Sequence, residues 1–145
     1  MADTEKKPMI CWEFTPSEYR TPLYQMELGL FVTAKGEWVS PAIPFIVDTG
    51  FDGDILLEEA IFESLGFSRF EEDSKDWDLG ETIDGDHLIL RASHTVVQLE
   101  KIEFKVRIET FPDNQENLVG RGLLNQMISQ INGFNKEFCC STTQQ

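Results

Sequence analysis

Positive charge is scarce in this sequence. Twelve Lys and Arg stand against 26 Asp and Glu, giving a formal net charge of −14. A surface so poor in basic groups argues against nucleic-acid binding and against anionic membrane surfaces, because phosphate contacts need basic patches. Cysteine is also scarce: Cys11, Cys139 and Cys140 are all there is. An odd count with two neighbours adjacent does not have the form of a disulfide framework. With only two histidines, a structural zinc site would be short of ligands. The expectation is therefore a cytoplasmic protein without metal or cofactor. No apolar run approaches the roughly 20 residues of a membrane span. The first ten residues are polar and charged, without the apolar centre of a signal peptide. Internal repeats, low-complexity tracts and linkers are missing as well.

What is present is enough for one core. The 145 residues are 41% hydrophobic and 11% aromatic, with 11 Phe and 3 Trp, which fits one globular domain rather than disorder. We divide the chain into an arm with a short strand (1–20), a domain (21–140) and a tail (141–145). Tyr24, Met26, Leu28, Leu30 and Val32 alternate with polar residues and glycine, the pattern of a half-buried strand. Residues 33–37 have hairpin composition. Ile102, Phe104, Val106 and Ile108 alternate with Glu103, Lys105, Arg107 and Glu109, the cleanest strand pattern in the chain. A short helix is expected over 58–65, with Ile61, Phe62 and Leu65 on one face and Gly66 as its stop. Residues 88–99 read as a long strand, and 123–130 as a helix or a helix running into a strand. Asn132-Gly133 predicts a type I′ turn joining two terminal strands. The chain is thus mostly β with one or two short helices, and a small closed barrel is the expected architecture.

One stretch carries chemistry. Phe45-Ile46-Val47 is a buried-strand run that delivers Asp48, followed by Thr49 and Gly50. A carboxylate at the end of such a strand is costly to bury unless hydrogen bonds or a functional partner hold it. Thr49 brings a hydroxyl, and Gly50 permits close backbone approach. Far downstream, Leu118-Val119-Gly120-Arg121 forms a second apolar strand end.

These two motifs, in this order and with a short helix and a hairpin between them, resemble the retropepsin-like aspartic proteases. The resemblance covers roughly residues 23–140 and implies a closed barrel of acid-protease type. It implies catalysis by two carboxylates sharing one proton, which activate a water against a peptide bond without cofactor or metal. The chain has one Asp-Thr-Gly and no Asp-Ser-Gly, so a dyad implies a homodimer with Asp48 from each protomer. By the same resemblance Thr49 would hydrogen-bond across the two-fold axis. The flap would span 80–88, with Ile83, Asp84 and Gly85 near its tip. Phe51 and Asp52 would line the cleft, and Asp52 would pair with Arg121. Phe51 is bulkier than the residue common at that place in viral enzymes. Gly122 replaces the usual Asn or Asp, which would weaken support for the terminal helix.

Two rival readings use the same residues. The fold could persist as a non-catalytic dimeric binding module, since fold does not guarantee function. Alternatively, Asp48, Asp52, Gly53, Asp54 and Glu59 fall near the positions of an EF-hand calcium loop. Gly50 at its third position supplies no side-chain ligand, and the preceding Pro41 and Pro44 exclude an entering helix. His87 and His94 lack a nucleophile partner by spacing and read as surface or strand-filling residues. Trp12, Trp38 and Trp77 read as packing groups.

Overall fold

A computed structural model describes residues 9–18, 20–32, 38–81 and 84–141 of the chain. Strands form where alternation predicts them. In β2 (Gln25–Val32), Met26, Leu28, Leu30 and Val32 are fully buried. In β8 (Ile102–Thr110), Phe104, Val106 and Ile108 face the core while Glu103 and Lys105 stay exposed. The remaining strands are β1 (Met9–Glu13), β3 (Trp38–Val39), β4 (Ile43–Val47), β5 (Ile55–Leu56), β6 (Asp78–Glu81), β7 (His87–Leu99), β9 (Leu118–Val119), β10 (Ile128–Asn132) and β11 (Glu137–Ser141).

Eight strands form one sheet in the order β3-β2-β4-β9-β5-β8-β7-β6. A further pairing of β2 with β7, Gly29 opposite Gln98 and Leu30 opposite Val97, curls that sheet back on itself. The architecture is mostly β with two short helices, α1 (Glu59–Ser64) and α2 (Arg121–Leu124). Its interior is filled by Phe45, Phe62, Leu57, Ile108 and Leu123, all fully buried. Each such side chain contributes about 1.5–3 kcal/mol relative to exposure. Helix α1 stops as expected: Gly66 follows at φ 82, the left-handed conformation that costs glycine least. Its N-terminus is capped from a distance, since Asn117 Oδ1 accepts the Glu58 N–H at 2.8 Å. The predicted hairpin over 33–37 lies outside the described residues, although β2 and β3, which it would join, do pair.

The terminal strands form a second sheet, β1-β11-β10. Two expectations are corrected there. First, the Asn132-Gly133 turn is wider than type I′. Asn132 pairs with Glu137, and Asn132 Oδ1 accepts the Asn135 N–H at 2.9 Å. Lys136, not Gly133, takes positive φ. The asparagine side chain mimics a backbone acceptor and so builds a longer loop than its dipeptide signature predicts. Second, Cys11 and Cys139 are joined by a disulfide. They lie opposite each other in the β1–β11 register, a proximity that spacing along the chain cannot reveal. Cys140 points the other way and is fully buried. Burial pushes its thiol up to about 12, which leaves it unreactive.

The disulfide spans 128 positions of sequence, so it constrains much of the unfolded chain. Opening it is expected to cost about 2–4 kcal/mol. Urea melts of wild type and Cys11→Ser, with and without reductant, check this. Identical midpoints would mean that strand pairing alone holds β1.

Candidate active site

The Asp48 loop is built by backbone bonds from both motifs. Strand β4 runs parallel to β9, with Ile46 opposite Leu118 and Val47 opposite Val119. The chain leaves β4 at Asp48, whose N–H donates to the Val119 carbonyl at 2.9 Å. Asp48 Oδ1 then accepts the Gly50 N–H at 2.9 Å, and the Phe51 N–H donates to the Asp48 carbonyl at 3.1 Å. The carboxylate is half-buried and its side-chain geometry is fixed by the loop that follows it. Thr49 is exposed beside it.

The second motif clamps that loop. Gly120 N–H donates to the Asp54 carbonyl at 3.0 Å, Arg121 N–H to Phe51 at 2.9 Å and Gly122 N–H to Gly53 at 3.0 Å. Such close approach requires glycine. A Cβ on Gly120 would stand 2.6 Å from both the Phe51 carbonyl oxygen and its ring. The Phe51 ring also fills the space above Gly53, where a Cβ would meet it at 2.5 Å. A bulky Phe51 is thus accommodated by two glycines. Gly122 is explained in the same way. The Asp54 carboxylate occupies the space that a side chain at 122 would need. Asp54 itself is anchored, because its Oδ2 accepts the Arg107 N–H at 2.8 Å.

A hairpin stands where the flap is expected. Strands β6 and β7 pair from Asp78 opposite Leu90 to Glu81 opposite His87. Asp84 and Gly85 lie in the turn, with Gly85 at φ 86; Ile83 is outside the described residues. Between flap and loop lies a cleft of about 630 Å³. Its walls include Gly50, Phe51 and Asp52, together with Leu79, Arg107 and Glu109. It begins immediately after Asp48 and Thr49. Asp84 and Gly85 do not line it in the single chain.

No protein-family model matches this sequence, and no curated protein does. Among solved structures, a retropepsin-like aspartic protease from Rickettsia conorii is similar over 94% of this chain and 96% of its own, at 22% identity and a TM-score of 0.55. EIAV protease complexed with the inhibitor HBY-793 is similar over 87% and 92%, at 15% identity and a TM-score of 0.49.

The chain has the retropepsin-like fold.

Within this fold the expected Asp52–Arg121 ion pair is not formed. Both residues are exposed, and among the described residues no ion pair joins them. Arg121 contributes its backbone instead, while the charge that buttresses the region comes from Arg107. Its Nε and Nη2 bind the two oxygens of Glu72 at 2.9 Å each, and Nη1 binds Asp78. This bidentate contact holds the Glu72 carboxyl below its usual range. Arg91 plays the same part further along, pairing with Glu59, Glu63 and Glu71 and lying over the Phe62 ring. His94 contacts Glu72 at the surface. The Trp77 indole donates to the Glu72 carbonyl at 2.9 Å.

Glu109 is the residue that sequence reading placed wrongly. Alternation along β8 assigns it to the polar face with Arg107, yet it is 3% exposed. The 51–54 loop and the flap cover that face. Burial pushes its carboxyl up to about 7, with Asp78, Asp52 and Asp54 adding to the shift and Arg107 opposing it. The EF-hand alternative gains no support from the fold. Glu59, its twelfth position, turns to Arg91 and to the Asp113 N–H. Asp54 is engaged with Arg107, and residues 55–56 are a strand.

Proposed function

We propose that this chain is an aspartic endopeptidase acting as a homodimer on protein or peptide substrates. Asp48 from each protomer forms the catalytic dyad, and Thr49 bonds across the two-fold axis. The observation that carries the reading is the Asp48 loop: a half-buried carboxylate, fixed by the Gly50 N–H and clamped by the second motif, beside a flap-covered cleft. In aspartic proteases generally, two such carboxylates share one proton. One removes a proton from water while the other donates to the developing oxyanion. Phe51, Asp52, Ile83, Asp84 and Gly85 are proposed to contact substrate once two copies close the site.

A dimer is supported by the count of one Asp-Thr-Gly per chain. It is also supported by apolar surface on the β10–β11 hairpin, where Ile128, Ile131 and Phe134 are exposed. Each protomer carries −14, so association should strengthen as salt screens the repulsion. The proposed cytoplasmic location conflicts with the Cys11–Cys139 bond, because a glutathione-buffered compartment keeps such pairs reduced. The state of that pair in intact cells decides the compartment.

The test is cleavage of a diverse peptide pool between pH 4 and 7 by wild type and Asp48→Asn. Wild type is expected to cleave best at mildly acidic pH, where the pair holds one proton. Asp48→Asn should reduce cleavage by at least about 10³-fold. Equal cleavage by both would remove Asp48 from the mechanism. Absence of cleavage by a folded dimer would favour the binding-module reading.

A further inference from the structure

We infer that the cleft beside Asp48 is a subsite for a cationic substrate side chain, lysine or arginine, with Glu109 as its specificity-determining carboxylate. The inference rests on the peptidase reading for the substrate being a peptide, and it adds which peptides are selected.

The charge balance of the cleft is one-sided. Asp52, Asp54, Asp78, Glu81 and Glu109 line it, against Arg107 alone. That arginine has little to offer a ligand. Its guanidinium is shared among Glu72, Asp78 and the Asp76 carbonyl. Glu109 is the independent observation. Its side chain is 4% exposed, and Oε2 has one long contact to Arg107 Nη1 at 3.4 Å. Oε1 has no hydrogen-bond partner among the described residues and stands 2.6 Å from where a Cβ on Gly53 would sit. On this largely covered carboxylate, the oxygen that Arg107 does not touch is open to the cleft and can accept from a donor outside. The apolar walls match a long side chain. Phe51, Leu79 and Leu90 line the cleft and would cover the aliphatic stem while the charged tip reaches Glu109. A divalent cation fits less well. Among the described residues, no three carboxylates of this cleft bring ligand oxygens within 4.8 Å of one another.

Protonation sharpens the test. Glu109 is surrounded by Arg107 on its own strand, Asp78 and Glu81 on the flap, and Asp52 and Asp54 on the loop. Its carboxyl is raised to about 7, so it is largely neutral at pH 5 and ionised by pH 8. Discrimination for a cation should therefore grow with pH, whatever happens to the overall rate.

The experiment uses decapeptide libraries in which one position at a time is fixed as Lys, norleucine or Glu. Cleavage is measured with wild type and Glu109→Gln, and retention is measured on immobilised Asp48→Asn. At one position, Lys should be favoured over norleucine by at least about tenfold at pH 7.5. Glu109→Gln should bring that ratio within about twofold, and lowering the pH to 5 should shrink it in wild type. Selective retention of Lys libraries without cleavage would leave the subsite standing and sink the peptidase reading. Cleavage with Lys and norleucine equivalent at every position would overturn the subsite and keep the peptidase. A preference unchanged by pH in wild type would also overturn the role of Glu109, even if Glu109→Gln failed to fold.

Discussion

Gly120→Ala is expected to be the most damaging single-atom addition in this protein, lowering the thermal midpoint by about 10 °C or more. The added methyl would enter a space bounded by the Gly53 and Phe51 carbonyl oxygens and the Phe51 ring. The ring can rotate away, but the two carbonyls belong to backbone that is itself hydrogen-bonded to residues 121 and 122. The strand end must therefore separate from the Asp48 loop, breaking some or all of the three bonds that clamp it. Overpacking of a tight site costs about 1–3 kcal/mol and sometimes more, and here the upper end applies because no flexible side chain can yield enough. Catalysis should fall with stability, since the Asp48 N–H bond to Val119 lies one residue away. Differential scanning calorimetry and the peptide assay measure both. A variant that melts within about 2 °C of wild type would show that the loops separate cheaply.

Arg107→Met is expected to cost about 2–4 kcal/mol at neutral pH and much less in acid. The side chain is 21% exposed and shares its charge with Glu72 and Asp78, so the loss falls somewhat short of a fully buried pair. Removing it leaves Glu72, itself only 17% exposed, without its bidentate partner. The sign follows from the Glu72 carboxyl being held below its usual value by Arg107. Such a group contributes stability above its unfolded pKa of 4.5, and that stability is lost as pH falls through the folded value. The gap between wild type and variant should therefore be widest near pH 7 and narrow below about pH 4. Glu109 moves the other way: burial already holds much of it protonated, so it adds little to the gap. Urea melts at pH 7 and pH 4 decide the matter. An equal loss at both would assign the effect to packing of the arginine stem rather than to charge.

Much of the scaffold was legible because local chemistry dictated it. Alternation over 24–32 and 102–108 fixed which faces of β2 and β8 are buried, since a strand side chain has only two directions to point. Gly66 ended α1 because glycine alone takes the left-handed conformation cheaply. The Asn132-Gly133 turn was misjudged because the Asn132 side chain supplied an acceptor that lengthened the loop. The Cys11–Cys139 bond was missed because it depends on β1 lying beside β11, at opposite ends of the chain.

By itself the sequence determined the mostly β class and the Asp48 loop at the end of an apolar strand, which follow from residue periodicity and from residue types that local backbone geometry demands; the second glycine motif was tied to that loop only through the family resemblance. Tertiary structure alone decided the electrostatics. It gave Arg107, rather than Arg121, the carboxylates of the region, and it used Asp54 to fill the space left by Gly122. It also turned Glu109 from a surface residue into the buried wall of a cleft. The physical reason is common to all three. The energy of a charge depends on what covers it and what opposes it, and here those groups come from the flap and the loop, many residues away.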